Sequence, residues 1–199
     1  MAHTYDIRAA YLYLKNPVFS NMDIIKQIKI YPPANDGTSR ILVIYEVEDV
    51  LPEEDNGHYL SIDLGLHNLM TCYDNVGKTF IIGREYLSLS YFYNKEIARV
   101  QSQWDRLQAA WGMEYPKTSK HLQRLYRKKN NCIKDYIHKM TRYITNYCVK
   151  NDIHTVVIGD IKGIRKEKNL GRKNNQKIHS LPYARIYMQL EYKFKMKGI

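Results

Sequence analysis

The stretch YLSIDLGLHN, residues 59–68, carries the pattern that decides the fold. Its first half is apolar and typical of a β-strand, with Asp63 in the middle of the apolar run. An aspartate there is costly to bury alone, so it needs a cation, a partner or an exposed strand centre. Gly65 lets the backbone turn into a second strand and leaves room for a phosphate to approach. A divalent metal would meet the need of Asp63, although an aspartate at a strand end is also typical of a turn or a cap.

The segments on either side of this stretch predict an α/β or α+β order of elements. Two β-like runs, at 24–31 and 40–48, precede it and predict a hairpin. An acidic linker is expected at 51–57. Short strands are then expected at 58–63, 69–73 and 79–82, and long helices at 88–110 and about 119–150. A later strand, suited to parallel pairing, is expected at 154–158. Residues 163–179 favour a loop, and a helix over about 180–197 closes the chain with Ser180 as candidate N-cap and Pro182 in its first turn.

A second acidic residue follows the later strand, in VVIGDIKG at residues 156–163. If this strand pairs beside the first, Asp160 and Asp63 face one another. Carboxylates that hold two metals about 4 Å apart activate a water and stabilise the leaving oxygen in phosphodiester cleavage. Hard oxygen ligands favour Mg²⁺ or Mn²⁺. The alternative for Asp160 is a turn or helix-capping role.

The charge is distributed unevenly, and its distribution indicates a nucleic-acid partner. Residues 1–116 contain 10 Lys and Arg against 15 Asp and Glu, a net of −5, whereas residues 117–199 contain 21 against 5, a net of +16. Such a field attracts polyanions, and counterion release rewards each phosphate contact. The alternative is a solvated basic face without a partner. The candidate nucleic-acid-binding residues are Lys117, Lys120, Arg124, Arg127, Lys128, Lys129, Arg165, Lys166, Arg172 and Lys173.

Composition excludes several other classes of protein. With 199 residues and 44% hydrophobic composition, the chain can bury one core of ordinary size. Its apolar runs are far shorter than the roughly 20 residues that cross a bilayer, and its start does not resemble a secretory signal. We therefore expect no membrane partner and a location in the cytoplasm, near the nucleoid of a bacterial or archaeal cell. Three cysteines at 72, 132 and 148 match neither a disulfide framework nor a metal clip, so no zinc is expected within this chain.

The ordered motifs SIDLGLHNL (61–69), TVVIGDIKGI (155–164) and LPYA with LEYK (181–184 and 190–193), around a long basic helix, resemble the core of OrfB/TnpB insertion-sequence proteins. These are relatives of the type V CRISPR effectors, and the resemblance covers roughly residues 24–199. It implies an RNase H-like (RuvC-type) mixed sheet with flanking helices over 58–199, incomplete at its C-terminus. A small wedge-like β-barrel remnant over 1–50 would precede it. The implied function is that of a transposon-encoded transposase or RNA-guided DNA endonuclease with Mg²⁺ or Mn²⁺, and its partners are DNA and guide RNA.

The resemblance also implies roles for particular acids. Asp63 matches the family's first-strand catalytic aspartate. The second family acid is usually a glutamate at the end of the later strand, where this chain has Gly159 followed by Asp160. Members with this Gly-Asp form are thought to supply the glutamate from the next helix, and Glu191 matches that alternative. Asp63 and Glu191 are then the expected metal ligands, with Asp160 as a supporting or substitute catalytic acid; the other interpretation of Glu191 is an ion pair with Lys195.

The chain also departs from the family pattern. In the family, the closing helix is followed by a CxxC…CxxC zinc ribbon and a third catalytic aspartate, and this sequence ends before both, so we expect a truncated copy. Whether it is an enzyme is therefore left open, as is its oligomeric state. The alternatives are a catalytically inactive nucleic-acid-binding remnant or repressor-like module, and a fragment that folds poorly because its sheet lacks a strand.

Overall fold

The computed structural model describes residues 25–32, 39–48, 50–114, 117–160, 171 and 181–199. The chain forms two compact units, residues 1–48 and 49–199, which are described separately. The predicted loop at 163–179, apart from Gly171, lies outside the described residues, as does Ser180. In the described part of the chain, no helix is both long enough and apolar enough to span a membrane.

The first unit contains the predicted hairpin. Strand β1 (Ile25–Tyr31) pairs antiparallel with β2 (Arg40–Tyr45), with Tyr31 opposite Arg40 and Ile25 opposite Tyr45. The register shifts between Ile25 and Gln27, which marks a bulge or irregularity at the start of β1. The hairpin is confirmed; the β-barrel of which it would be a remnant remains a prediction.

The second unit is built on a four-stranded mixed sheet. Its strands are β3 (Tyr59–Asp63), β4 (Met70–Asp74), β5 (Lys78–Ile82) and β6 (Thr155–Ile158), in the order β5-β4-β3-β6. The first three form an antiparallel meander, and β6 lies parallel to β3. Parallel strands need a long crossover connection, and two helices provide it here. The predicted meander and the pairing of the later strand with the first are both confirmed.

Within the described part of the chain, three helices flank this sheet: α1 (Glu85–Ala110), α2 (Lys120–Lys150) and α3 (Tyr183–Lys195). Helix α2 begins where the sequence predicts, because the Ser119 hydroxyl oxygen accepts the Leu122 N–H at 3.2 Å as an N-cap. Helix α3 begins at Tyr183, so its N-cap position is Pro182 rather than the predicted Ser180, and Pro182 precedes the first turn instead of lying in it. All three helices were expected, and only their ends differ by a few residues.

The core lies between one face of the sheet and the apolar faces of α2 and α3. Leu60 and Ile62 of β3 are buried, while Tyr59, Ser61 and Asp63 occupy the alternate positions. The helices contribute Ile137, Met140, Ile144, Ile186 and Leu190. Because side chains alternate along a strand, Asp63 belongs to the face of β3 turned away from this core.

Two of the three cysteines lie in the core. Cys72 and Cys148 are free and fully buried, and burial raises the pKa of each thiol to about 12. A thiol that stays protonated is neither a good nucleophile nor a good metal ligand. These cysteines therefore serve packing.

Candidate functional site at the end of strands β3 and β6

Asp63 is the last residue of β3, and its side chain is exposed. The sequence-based placement in the middle of a strand was therefore wrong, and of the three possibilities for this carboxylate, a cation, a partner or exposure, the structure shows exposure. A strand-end position leaves the charge hydrated, so no desolvation cost has to be offset. Asp63 is instead a charged oxygen donor at an accessible edge of the sheet.

Gly159 is the residue that lies beside Asp63 on the neighbouring strand. The Gly159 N–H donates to the carbonyl oxygen of Ile62 at 3.0 Å, which extends the parallel ladder one step beyond the last pair, Ile62 and Ile158. A Cβ atom at Gly159 would lie 3.9 Å from Asp63 Oδ1, which is an ordinary van der Waals distance. The position at which the resembled family usually carries its glutamate is therefore adjacent to Asp63, and here it has no side chain.

Asp160 follows Gly159 immediately and is exposed. The predicted juxtaposition of Asp63 and Asp160 rests on the pairing of their strands, and that pairing is present. The residue in register beside Asp63 is nevertheless Gly159 rather than Asp160. A catalytic role for Asp160 remains a prediction.

Gly65 shapes the turn that leaves β3. A Cβ atom at this position would lie 2.9 Å from the backbone oxygen of Asn68, closer than side chains normally approach a backbone. The chain therefore requires glycine for a close backbone contact, as the sequence predicted for the turn into the second strand. The carbonyl oxygen of Gly65 accepts a hydrogen bond from the Tyr183 hydroxyl at 3.4 Å, which connects this turn to α3.

Two tyrosines attach helix α3 to the ends of both strands, and the sequence analysis missed them. The Tyr183 hydroxyl reaches the carbonyl of Gly65, just after β3, and the Tyr187 hydroxyl donates to the carbonyl oxygen of Gly159, just after β6. Their spacing of four residues, continued by Glu191, was visible in the sequence as a single side of a helix. Glu191 therefore lies one turn beyond the residue that contacts Gly159.

Glu191 forms an ion pair with Lys195 at 2.9 Å, with side chains 66% and 72% exposed. This is the pair that the sequence allowed as the alternative to a metal-binding role. Exposed pairs at this spacing contribute only about 0.3–0.5 kcal/mol, so they are easily exchanged for another partner. The ion pair is present, and metal binding by Glu191 remains a prediction.

Among the residues that the structure describes, no group of three or more histidines, cysteines or acids is placed to hold a metal ion. The candidate site in this part of the chain therefore has fewer protein ligands than a complete cage. Mg²⁺ differs from zinc in this respect, because it keeps several waters and is usually bound by one or two carboxylates together with substrate phosphates. The donor set at the end of β3 suits a hard cation of that kind.

The family model described as a probable transposase, that of the OrfB proteins of IS605-type elements, matches residues 42–165. The chain belongs to this OrfB family. None of the curated proteins matches it by sequence. The matched segment includes β3, both long helices and β6, and therefore Asp63 and Gly159 together.

Two solved structures resemble the fold of this OrfB chain. One is a cryo-EM structure of a Cas12f1–sgRNA–target DNA complex, with a TM-score of 0.51 and 19% identity over 86% of this chain and 40% of the other. The second is a cryo-EM structure of a CRISPR–Cas12f ternary complex, with a TM-score of 0.51 and 17% identity over 86% of this chain and 33% of the other. At these identities the likeness concerns the fold. The OrfB chain spans about two fifths and one third of the two Cas12f chains.

Basic side chains follow one face of α2 in this OrfB protein. Lys120, Arg124 and Arg127 recur at steps of four and three residues, opposite the buried side that contains Leu122 and Ile133. Lys128 is exposed next to them, and Lys117 is exposed just before the helix. The other predicted contacts, Arg165, Lys166, Arg172 and Lys173, lie outside the described residues. The helical part of the predicted surface is therefore one connected basic stripe.

Lys129 differs from its neighbours in this surface. Its ammonium group donates to Asn94 Oδ1 at 2.6 Å and so connects α2 to α1. The side chain is half-buried, and this burial lowers its pKa. Lys129 thus has a partner within the protein, and a nucleic-acid contact by it remains a prediction.

A buried polar network lies at the other end of the strands, and the sequence analysis did not identify it. Asp74, which is 1% exposed, lies 2.7 Å from the ring nitrogen of His58 and accepts a hydrogen bond from the Tyr147 hydroxyl at 2.8 Å. Burial acts to raise the pKa of Asp74, but the N–H of Val76 and the contacts with His58 and Tyr147 outweigh it, so this pKa lies below its usual value. Burial and the Asp74 contact also raise the pKa of Tyr147 to about 12. Asp74 therefore joins β4 to α2 as a charged structural residue.

Proposed function

We propose that this OrfB-family chain belongs to a transposon-encoded, RNA-guided and metal-dependent DNA endonuclease. The observation that supports it is the position of Asp63 at the exposed end of β3, next to the parallel strand β6, with two tyrosines of α3 bonded to the backbone just after these two strands. The proposal assigns an RNase H-like (RuvC-type) nuclease fold to residues 58–199. It assigns a wedge-like remnant of a β-barrel to residues 1–50.

In this proposal Asp63 and Glu191 hold the divalent ion, and Asp160 supports or replaces one of them. Their carboxylate oxygens suit Mg²⁺ or Mn²⁺, which would polarise the phosphodiester and activate the attacking water when bound. Breaking the ion pair between Glu191 and Lys195 costs little free energy, because an exposed ion pair contributes only about 0.3–0.5 kcal/mol. Tyr187 and Tyr183 attach α3, the helix that contains Glu191, to the backbone carbonyls just after the two strands.

The proposed partners are DNA and a guide RNA. The two Cas12f structures that share this fold contain sgRNA with target DNA in one case, and a ternary complex in the other. In the OrfB chain, the basic stripe of α2 would contact the phosphates of such a duplex. Sequence would then be determined by base pairing with the guide, because contacts between lysine or arginine and phosphate do not distinguish bases.

The test of this proposal is cleavage of a DNA target by the chain with guide RNA and Mg²⁺. Asp63→Ala is expected to lower the rate by roughly 100-fold or more, since even supporting groups of metal ligands contribute 10- to 100-fold. Asp105→Ala is the matched control, because Asp105 is an exposed aspartate of α1 whose carboxylate accepts a hydrogen bond from the Gln101 side chain at 2.6 Å. Equal rates for the wild type and Asp63→Ala would remove the catalytic assignment.

A second candidate function is nucleic-acid binding without cleavage. The specific observation that favours it is Gly159, which leaves the position beside Asp63 without a carboxylate. This candidate predicts binding that weakens steeply with salt and does not require a metal. Binding that is unchanged by EDTA, together with no cleavage at any Mg²⁺ concentration, would favour it over the nuclease.

A further inference from the structure

A cluster of four basic groups lies where α3 packs against α2, outside the residues predicted from the sequence. Lys134, His138 and Arg142 follow one another at four-residue steps along α2 and therefore lie on one face. Helix α3 adds Lys193, whose ammonium group donates to the carbonyl oxygen of His138 at 3.0 Å and to Thr141 Oγ1 at 2.6 Å. Two helices thus bring four cationic or titratable groups together.

The ammonium group of Lys193 is held in place by buried polar side chains. Thr141, which is fully buried, has its hydroxyl 2.8 Å from the carbonyl oxygen of Ile137 and 3.1 Å from Gln189 Oε1. Gln189 is itself only 3% exposed. A lysine ammonium has three donors, and two of those of Lys193 are used within the protein. The same ammonium group also lies 5.9 Å from the centroid of the Tyr192 ring.

The charge of this cluster is not balanced by acids within the described part of the chain. The acid nearest in sequence, Asp135, forms its ion pair with Lys139 at 2.7 Å, and no described carboxylate pairs with Lys134, Arg142 or Lys193. Like charges four residues apart on a helix cost a few tenths of a kcal/mol. Such an arrangement is less stable without an anion than with one.

The charge of the cluster affects the pKa of His138. Its burial, followed by the charges of Lys193, Lys134 and Arg142, lowers its pKa, while Asp135 acts in the opposite direction. In the unliganded protein these surroundings favour the neutral imidazole. An anion that bound among these groups would offset the three cations and favour the imidazolium form.

We propose that Lys134, His138, Arg142 and Lys193 form a contact site for a nucleic-acid backbone phosphate, and that His138 takes up a proton from solvent when the phosphate binds. This rests on the proposed nucleic-acid binding and adds to it a further contact site and a dependence on pH. The site continues the basic stripe that begins at Lys120. The 22 steps from Lys120 to Arg142 extend ~33 Å at ~1.5 Å per residue, close to the ~34 Å of one turn of duplex DNA.

The dependence on pH has a defined sign. Binding is coupled to proton uptake, so affinity rises as the pH falls through the pKa that His138 has in the complex. The gain levels off below the pKa of the free protein, which lies under the ordinary value of 6.5. A neutral side chain at this position would remove that dependence and leave the other phosphate contacts unchanged.

The experiment measures binding of the full chain to a fluorescent DNA duplex of about 20 base pairs, in EDTA, as a function of salt. Arg142→Gln is expected to reduce the slope of log affinity against log salt by about 1, and Lys134→Gln with Arg142→Gln by about 2. Lys139→Gln is the matched control, because it removes one positive charge from the same helix at a residue already paired with Asp135. The control should leave the slope unchanged.

The proton-linked part is tested by His138→Gln and by histidine NMR. Wild-type affinity should increase between pH 8 and pH 6 more than that of His138→Gln, and the pKa of His138 should rise when the duplex is added. Equal slopes for Arg142→Gln and Lys139→Gln would overturn the proposal, and so would a His138 pKa that does not change when the duplex is added. The NMR measurement uses the wild type, so it tests the proposal even if a variant folds poorly. Because binding is measured without metal, a lack of cleavage does not affect these measurements. If they contradict the phosphate site, the nuclease proposal is left intact.

Discussion

Gly159 and Asp63 lie side by side at the ends of two parallel strands, so that a Cβ atom on the glycine would be 3.9 Å from Asp63 Oδ1. The backbone N–H of Gly159 donates to the carbonyl oxygen of Ile62, the residue before Asp63. This hydrogen bond of the sheet holds Gly159 close to Asp63. Because the φ of Gly159 is not positive and an added Cβ would make only ordinary van der Waals contacts, a side chain there would be tolerated. The spacing makes this glycine the most informative position for testing the proposed metal site.

Gly159→Glu is expected to strengthen the metal site, because it adds a second carboxylate within reach of Asp63. We expect Mg²⁺-dependent cleavage to increase roughly tenfold, the scale associated with one supporting group of a metal site. The measurement is the cleavage rate as a function of Mg²⁺ concentration. Gly159→Gln, which has the same shape without the charge, is the control, and equal behaviour of the two variants would contradict the assignment of this edge as a metal site.

Tyr187→Phe is expected to loosen α3 from the end of β6, because it removes the hydroxyl that donates to the carbonyl oxygen of Gly159. The free energy of unfolding should fall by about 1 kcal/mol, the usual contribution of one hydrogen bond. If Glu191 is a ligand positioned by this contact, the Mg²⁺ concentration for half-maximal cleavage should also rise. Tyr126→Phe, at an exposed tyrosine of α2, is the control for loss of a hydroxyl. An unchanged metal requirement would limit Tyr187 to a structural role.

Asp74→Asn is expected to destabilise the fold, because the buried carboxylate accepts from Tyr147 and Val76 and contacts His58. Breaking such a network costs about 3 kcal/mol, while Tyr147→Phe, which removes one hydrogen bond, should cost about 1 kcal/mol. Urea unfolding at neutral pH measures both. Similar losses for the two variants would show that the charge of Asp74 is not needed.

The same carboxylate predicts a pH dependence of stability. The pKa of Asp74 in the fold lies below its ordinary value of 3.8, so its contribution is fully present above that value and is lost as the pH falls through the folded pKa. The free energy of unfolding of the wild type should therefore decline more steeply in acid than that of Asp74→Asn. Urea unfolding from pH 6 to pH 2 makes the comparison. An equal decline in the free energy of unfolding of the two proteins would refute this prediction.

Gly83→Ala is expected to disrupt the junction between β5 and α1. Gly83 has a φ of +90°, and an added Cβ would lie 2.5 Å from the Cβ of Leu69, a buried core residue. Gly77→Ala is a matched control, because its φ of +102° is similar and no heavy atom lies within 4 Å. The control should lose about 1 kcal/mol from backbone strain alone, and Gly83→Ala should lose more. Thermal unfolding of both variants makes the comparison, and equal losses would mean that Leu69 moves aside without cost.

The amino-acid sequence by itself determined the order of the elements. Alternation, apolar spacing and turn residues located β3, β4 and β5, and Ser119 marked the start of α2, because these signals act over a few residues of the chain. The motif around Asp63 likewise indicated the family that the match over residues 42–165 shows. Local preferences and a family motif can both be detected without knowing which distant residues meet.

Only the tertiary structure decided which residues lie together. The register of β6 against β3 placed Gly159, rather than Asp160, beside Asp63, and a shift of one residue along a strand changes the face of every side chain. The packing of α3 brought Tyr187 to Gly159 and Lys193 to His138, across 28 and 55 residues of sequence. The burial of Asp74 had the same origin, since its partner Tyr147 is 73 residues away. These contacts arise from the packing of whole elements, and no short window of sequence contains both partners.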